Sequence, residues 1–189
     1  VSLLSTSGLT FLTGDGVSDR NVAFRASLAA ANAALNSLTY LGDQDFNGAG
    51  FITVNVSDSV SPGTSGIPLS DTRVLSLNVA AVNDAPTLTV PATQTANEAT
   101  DQRITGISVS DVDTTGGNFT LSLSVVNGIL TLGSTTGLTF ASGSANQTAN
   151  LIFSGSLSAV NNALATLSYR SNPNFNGTDT INIGVNDNG

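Results

Sequence analysis

The sequence predicts an all-β chain built as tandem Greek-key β-sandwich modules, each carrying one short inserted helix. Three observations carry this. Most segments alternate apolar and polar residues at period two, Asn- and Gly-rich turns separate them, and one block of sequence occurs twice.

The repeat sets the organisation. Ser5-Thr6-Ser7-Gly8-Leu9-Thr10-Phe11 returns as Ser134-Thr135-Thr136-Gly137-Leu138-Thr139-Phe140, an offset of 129 from Phe11 to Phe140. Without any gap, the same offset maps Ser27-Leu28 onto Ser156-Leu157 and Tyr40 onto Tyr169. It also maps Phe46-Asn47-Gly48 onto Phe175-Asn176-Gly177, and Asp58 onto Asp187. Duplicated modules stacked in one chain have this signature. Residues 1–82 are expected to be the C-terminal part of repeat 1, 83–86 a linker, and 87–189 repeat 2 lacking its last strand. A chain that begins inside a module and has no Met is expected to be a piece of something longer.

In chain order, Val74 to Val82, Leu88-Val90, Ile104-Ile107-Val109, Phe119-Leu121-Leu123-Val125, Ile129 to Leu132, Leu138-Phe140, Leu151-Phe153 and Ile181-Ile183-Val185 read as half-buried antiparallel strands. Asn47-Gly48, Gly116-Gly117, Asn127-Gly128 and Asn176-Gly177 are turn positions where a positive φ is cheap. Helical spacing occurs twice, at matching places. Ser27 caps Leu28, Ala31, Leu35 and Leu38, and Ser156 caps Leu157, Val160, Leu164 and Leu167. Each is read as a lid helix packed on its own sandwich.

Composition narrows the chemistry. Among 189 residues there is no Cys, Met, Trp, His or Lys, and five Arg stand against twelve Asp and the single Glu98, for a net charge of -8. Nucleic acid and anionic membrane surfaces need clustered positive charge, so neither is expected as a partner. No apolar run approaches the ~18 residues of a spanning helix. Without His or Cys, Ser-His triads and thiol chemistry are excluded within the chain, and no enzyme is expected.

The residues that could carry function are oxygen donors. Gly66-Ile67-Pro68-Leu69-Ser70, the strand Val74 to Val82, Asn83-Asp84-Ala85-Pro86 and Ser110-Asp111-Val112-Asp113 follow one another in order. This succession resembles the last hairpin, linker and Asp-X-Asp motif of cadherin repeats. With Asn174 to Asp179, it is similar to the bacterial cadherin-like tandem repeats of large surface adhesins. The resemblance implies a cadherin-like or Ig-like sandwich. If the chain enters at one end, Asn83, Asp84, Asp111, Asp113 and Asp187 converge there. Carboxylates with amide and backbone oxygens suit Ca²⁺, at about 2.3–2.6 Å. By the same resemblance Glu98 points to the opposite end and serves the next junction. The linker lacks two of the family's ligands, which implies fewer calcium ions or weaker binding. The plain alternative is that these Asp and Asn residues satisfy turns.

The expected function is a non-catalytic, calcium-binding repeat of an extracellular, cell-surface or secreted adhesin. It would act as a rigidified spacer or adhesive segment, with neighbouring repeats and homophilic, cell-surface or matrix partners. One alternative is a subunit of a surface filament, sheath or layer assembled by strand complementation, for which a foreign strand beside Ile181 to Val185 would speak. Another is calcium-dependent carbohydrate binding.

Overall fold

The computed structural model describes residues 1–58, 67–113 and 116–189. Gly66, at the head of the stretch ending in Ser70, lies outside them. The chain divides into two compact units, Val1–Val82 and Asn83–Gly189. It is mostly β, with 40% of residues in strands, two helices, small sheets and no barrel among the described residues.

Unit 1 runs β1 (Ser2–Leu3), β2 (Thr10–Thr13), β3 (Ala23–Arg25), α1 (Leu28–Asn36), β4 (Leu38–Thr39), β5 (Gly48–Ser57) and β6 (Ser70–Val79). Its strands form three antiparallel pairs, β1 with β4, β2 with β3 and β5 with β6. Among the described residues of this unit only Leu3 and Ala34 are buried apolar side chains.

Unit 2 runs β7 (Thr87–Thr89), β8 (Gln102–Arg103), β9 (Ser108–Ser110), β10 (Asn118–Ser124), β11 (Gly128–Leu132), β12 (Leu138–Phe140), β13 (Asn150–Ser156), α2 (Leu157–Leu164), β14 (Leu167–Ser171) and β15 (Asn182–Asn186). One sheet has the order β12-β13-β10-β15, a second β11-β14-β8, and β7 pairs with β9. Every pairing is antiparallel. Phe119, Leu121 and Leu123 of β10 point into a core shared with Phe153, Val160, Leu164 and Leu167. Strand alternation puts residues i, i+2 and i+4 on one face, so this single strand supplies three core side chains.

The repeat is visible in structure. β2–β3 and β12–β13 occupy matching sequence, and each closes over an aromatic pair. Phe11 and Phe24 stack edge-on at 6.2 Å, and their counterparts Phe140 and Phe153 tilt at 5.9 Å. Both helices start on a serine in extended conformation whose hydroxyl accepts the N–H three residues on, Ser27 from Ala30 and Ser156 from Ala159, each at 3.3 Å.

Three local expectations need correction. Leu38 and Leu167 open strands and do not extend the helices. A hydroxyl residue stops each helix by donating to the carbonyl three residues back, Ser37 to Ala34 and Thr166 to Ala163, both at 2.8 Å. The Ile104-Ile107-Val109 stretch is no single strand: β8 ends before Ile104, Gly106 turns at φ 87°, and only Val109 lies in a strand, β9, which is in a different sheet from β8. At Asn127-Gly128 the glycine is required by space, since its φ is not positive. A Cβ there would collide with the Arg170 carbonyl and lie 2.5 Å from the Tyr169 ring.

Two asparagines pair with backbone as a neighbouring strand would. Asn161 on α2 accepts from Val109 N–H at 2.8 Å and donates to its carbonyl at 2.9 Å. Asn146 does the same for Leu132, at 2.8 Å both ways. Each satisfies an N–H and a C=O of a buried residue that would otherwise lose both bonds.

Candidate cation site at the start of unit 2

Unit 2 begins with an irregular segment before β7, and its first two residues are held by acidic side chains. Asn83 donates its side-chain amide to Asp187 Oδ2 at 2.7 Å. Asp84 donates its backbone N–H to Asp113 Oδ2 at 2.6 Å. Asp113 in turn donates its N–H to Asp111 Oδ1 at 2.7 Å, closing a turn just after β9. These five residues therefore lie in two linked chains of contact at the Asn118 end of β10, where Asn186, just before Asp187, pairs with Thr120.

The electrostatics differ along this set. Asp187 is held below the usual carboxylate range first by the Asn83 amide and then by the Gly189 N–H. Its other oxygen accepts from Gly189 at 3.3 Å. At Asp111, Oδ1 is satisfied, but Oδ2 is shielded from solvent and has no hydrogen-bond partner among the described residues. A buried carboxylate oxygen without a donor costs free energy unless a cation or water reaches it.

Chemically this is an oxygen-only donor set of carboxylates, one amide and backbone carbonyls, the class that hard divalent cations prefer. The orphaned Asp111 Oδ2 fits such an ion. Asp113, whose N–H Asp111 holds, and Asp84, whose N–H Asp113 holds, are the residues that the contact chain ties to it. Among the described residues, however, no three His, Cys, Asp or Glu side chains gather as a ready metal centre. The carboxylates are joined in pairs through N–H donors. A cation here would share Asp111 and Asp113 with those turns and would draw its remaining ligands from backbone oxygens and water.

Glu98 is not brought to this cluster. Its Oε1 accepts the Asn174 N–H at 2.6 Å, and the neighbouring Ala99 donates to Ser171 Oγ at 3.0 Å. Ser171 pairs with Gly128, at the Ser124 end of β10. Glu98 there holds a loop in which Asn174 adopts φ 62°.

A further polar site was not among the expected residues. Asp179 accepts the Tyr169 hydroxyl at 3.0 Å and the N–H groups of Asn127 at 2.9 Å and Thr180 at 2.9 Å. The signal for it was present in the repeat. Asp179 is the counterpart of Gly50, so the aligned Tyr40 has no such carboxylate, and a Cβ on Gly50 would stand 3.3 Å from the Tyr40 hydroxyl.

Residues 101–189, just under half the chain, match a family model described as the Protein GAMETE EXPRESSED 2 domain. No curated protein and no solved structure matches the chain. The family match overturns the resemblance to bacterial cadherin-like repeats of large surface adhesins, because the matched family is one of eukaryotic gamete proteins. The bacterial-adhesin assignment falls with it, and the match brings no indication of calcium binding. The misleading motifs were short: Asn-Asp, Asp-X-Asp and Asn-Gly recur wherever β turns need side-chain acceptors.

Proposed function

We propose that this chain is a non-catalytic spacer of tandem Greek-key β-sandwich modules in an extracellular protein. A calcium ion bound at Asp111 and Asp113 would fix the segment with which the second module begins. The observation that carries the reading is the buried Oδ2 of Asp111, unpartnered among the described residues and two residues before Asp113, whose carboxylate grips Asp84. An ion there would neutralise the acidic turn and tie Asn83 and Asp84 more firmly to the sheet. Bound calcium supplies charge compensation and oxygen coordination alone; no reaction is involved. The absence of His and Cys from the chain supports a role without catalysis. The family match suggests a gamete-expressed eukaryotic protein as the setting.

Calorimetric titration of the 189-residue chain with CaCl₂ tests this, with Asp111→Ala plus Asp113→Ala as the comparison. Saturable heat in the parent chain and none in the double variant is the expected result. Equal heats, or none in either, would remove the ion and leave an unliganded spacer.

A further inference from the structure

Four triplets in the chain have the form Asn-X-Ser or Asn-X-Thr, beginning at Asn55, Asn118, Asn146 and Asn176. Each meets the minimum requirement of an N-linked glycan acceptor, in which X is any residue but proline. The fold sorts them.

Asn146 is committed elsewhere. Its Oδ1 accepts the Leu132 N–H and its Nδ2 donates to the Leu132 carbonyl, both at 2.8 Å. An amide holds its substituent trans to the chain, so a sugar would replace the Nδ2 hydrogen on the same side as Oδ1. That is the hydrogen given to Leu132, a residue only 2% exposed, whose carbonyl would lose its partner. Asn118 and Asn55 lie in paired strands. Asn118 opens β10 with buried Phe119 as the middle residue of its triplet, and Thr120 stands between Ser154 and Asn186. In β5 the Asn55 amide donates to Thr72 Oγ1 across the hairpin at 2.7 Å.

Asn176-Gly177-Thr178 differs on each count. It lies in the loop between β14 and β15, and all three residues are exposed. Among the described residues no hydrogen bond engages the Asn176 amide or the Thr178 hydroxyl. Gly177, at φ 132°, has nothing nearer to its Cβ position than the Phe175 ring at 3.9 Å. The loop is anchored on either side of the triplet, by Glu98 on Asn174 and by Asp179 on Tyr169, so a substituent on Asn176 disturbs neither contact. In the first repeat the aligned triplet is Asn47-Gly48-Ala49, which has no hydroxyl, so the site is not repeated there.

We infer that Asn176 is an N-glycosylation site. Its Nδ2 attacks the anomeric carbon of a polyprenyl-diphosphate-linked oligosaccharide. The C–N bond forms as the C–O bond to the diphosphate breaks, the lipid diphosphate leaves with the electron pair, and Nδ2 gives up one of its two protons to the transferase. The glycan then projects from the loop that Glu98 holds, away from the acidic cluster at the start of unit 2. The inference rests on the extracellular part of the proposed function and not on the bound ion.

The 189-residue chain is expressed behind a cleavable secretion signal in cultured plant or animal cells, and intact glycopeptides of the secreted protein are mapped by mass spectrometry. Asn176 should carry glycan at higher occupancy than the other three asparagines, and Asn146 should carry none. Thr178→Ala should empty the site, and Thr178→Ser should keep it filled because the serine retains the hydroxyl. A secreted chain with Asn176 bare, or with Asn146 occupied, overturns the inference. Titrating the same protein with CaCl₂ separates this result from the cation. Glycan without calcium heat removes the ion and leaves the site, and calcium heat with Asn176 bare does the reverse. A chain retained in the cells with every triplet bare overturns both the inference and the extracellular role on which it rests.

Discussion

Tyr169 donates its hydroxyl to Asp179 Oδ2 at 3.0 Å, and the same oxygen accepts the N–H of Asn127 at 2.9 Å. One carboxylate therefore ties β14 to the turn between β10 and β11. Burial pushes Asp179 upward. Hydrogen bonds from Asn127, Tyr169, Thr180 and Val126 outweigh it and hold the carboxyl below its ordinary range. Burial first, then the bond to Asp179 and its charge, push the Tyr169 phenol up to about 12.

The pH dependence follows from those directions. The Asp179 contribution is complete above its unfolded value of about 3.9 and is lost as pH falls through the lower folded value. The Tyr169 contribution is complete below about 10 and is lost as pH rises toward 12. Urea midpoints across pH 2–12 should show both limbs. Asp179→Asn should cost about 1–2 kcal/mol at neutral pH and flatten the acid limb. An unchanged acid limb would deny Asp179 this role.

Asn161→Ala should destabilise unit 2 by about 1–3 kcal/mol, because it strips both backbone partners from buried Val109. Asn161→Asp keeps the acceptor and loses the donor, so it should not restore stability. Thermal unfolding of both variants checks this, and a wild-type midpoint for the aspartate form would contradict it.

The two repeats should answer the same substitution differently. Leu164→Ala opens a cavity in a closed core and should cost about 2–5 kcal/mol. Leu35→Ala removes a side chain that is already 40% exposed and should cost under about 1 kcal/mol. Chemical denaturation with a probe in each unit compares them.

Asp111→Asn replaces a shielded carboxylate oxygen, unpaired among the described residues, with a neutral amide. Without calcium its stability should match or slightly exceed the parent's. With calcium, affinity should fall by about tenfold or more. A large loss of stability in chelator would mean that the charge is needed for the turn itself.

Strand positions, both helix starts and the repeat were legible because each rests on local rules: alternation, a serine cap, and identity at a fixed offset. Leu38 and Leu167 were misread because helical spacing continues past the point where a hydroxyl closes the helix. The Asn83–Asp187 and Asp84–Asp113 contacts join residues far apart in sequence, and the motif order anticipated their meeting. What motif order could not supply is the direction of each carboxylate, and that direction pairs them with N–H donors. Glu98, read by resemblance as pointing to the opposite end, accepts the Asn174 N–H at the Ser124 end of β10, away from the other acidic residues. Asp179 escaped notice because its partner, Tyr169, was read only as a repeat marker.

Ser156 is at once the last residue of β13 and the N-cap of α2, and Ser27 opens α1 two residues after β3 ends. A corner this short leaves no slack in the chain. Lengthening it by even one residue would rotate the helix off its lid position. Variation in length among copies of this repeat must then be absorbed elsewhere, while the elbow keeps its residue spacing.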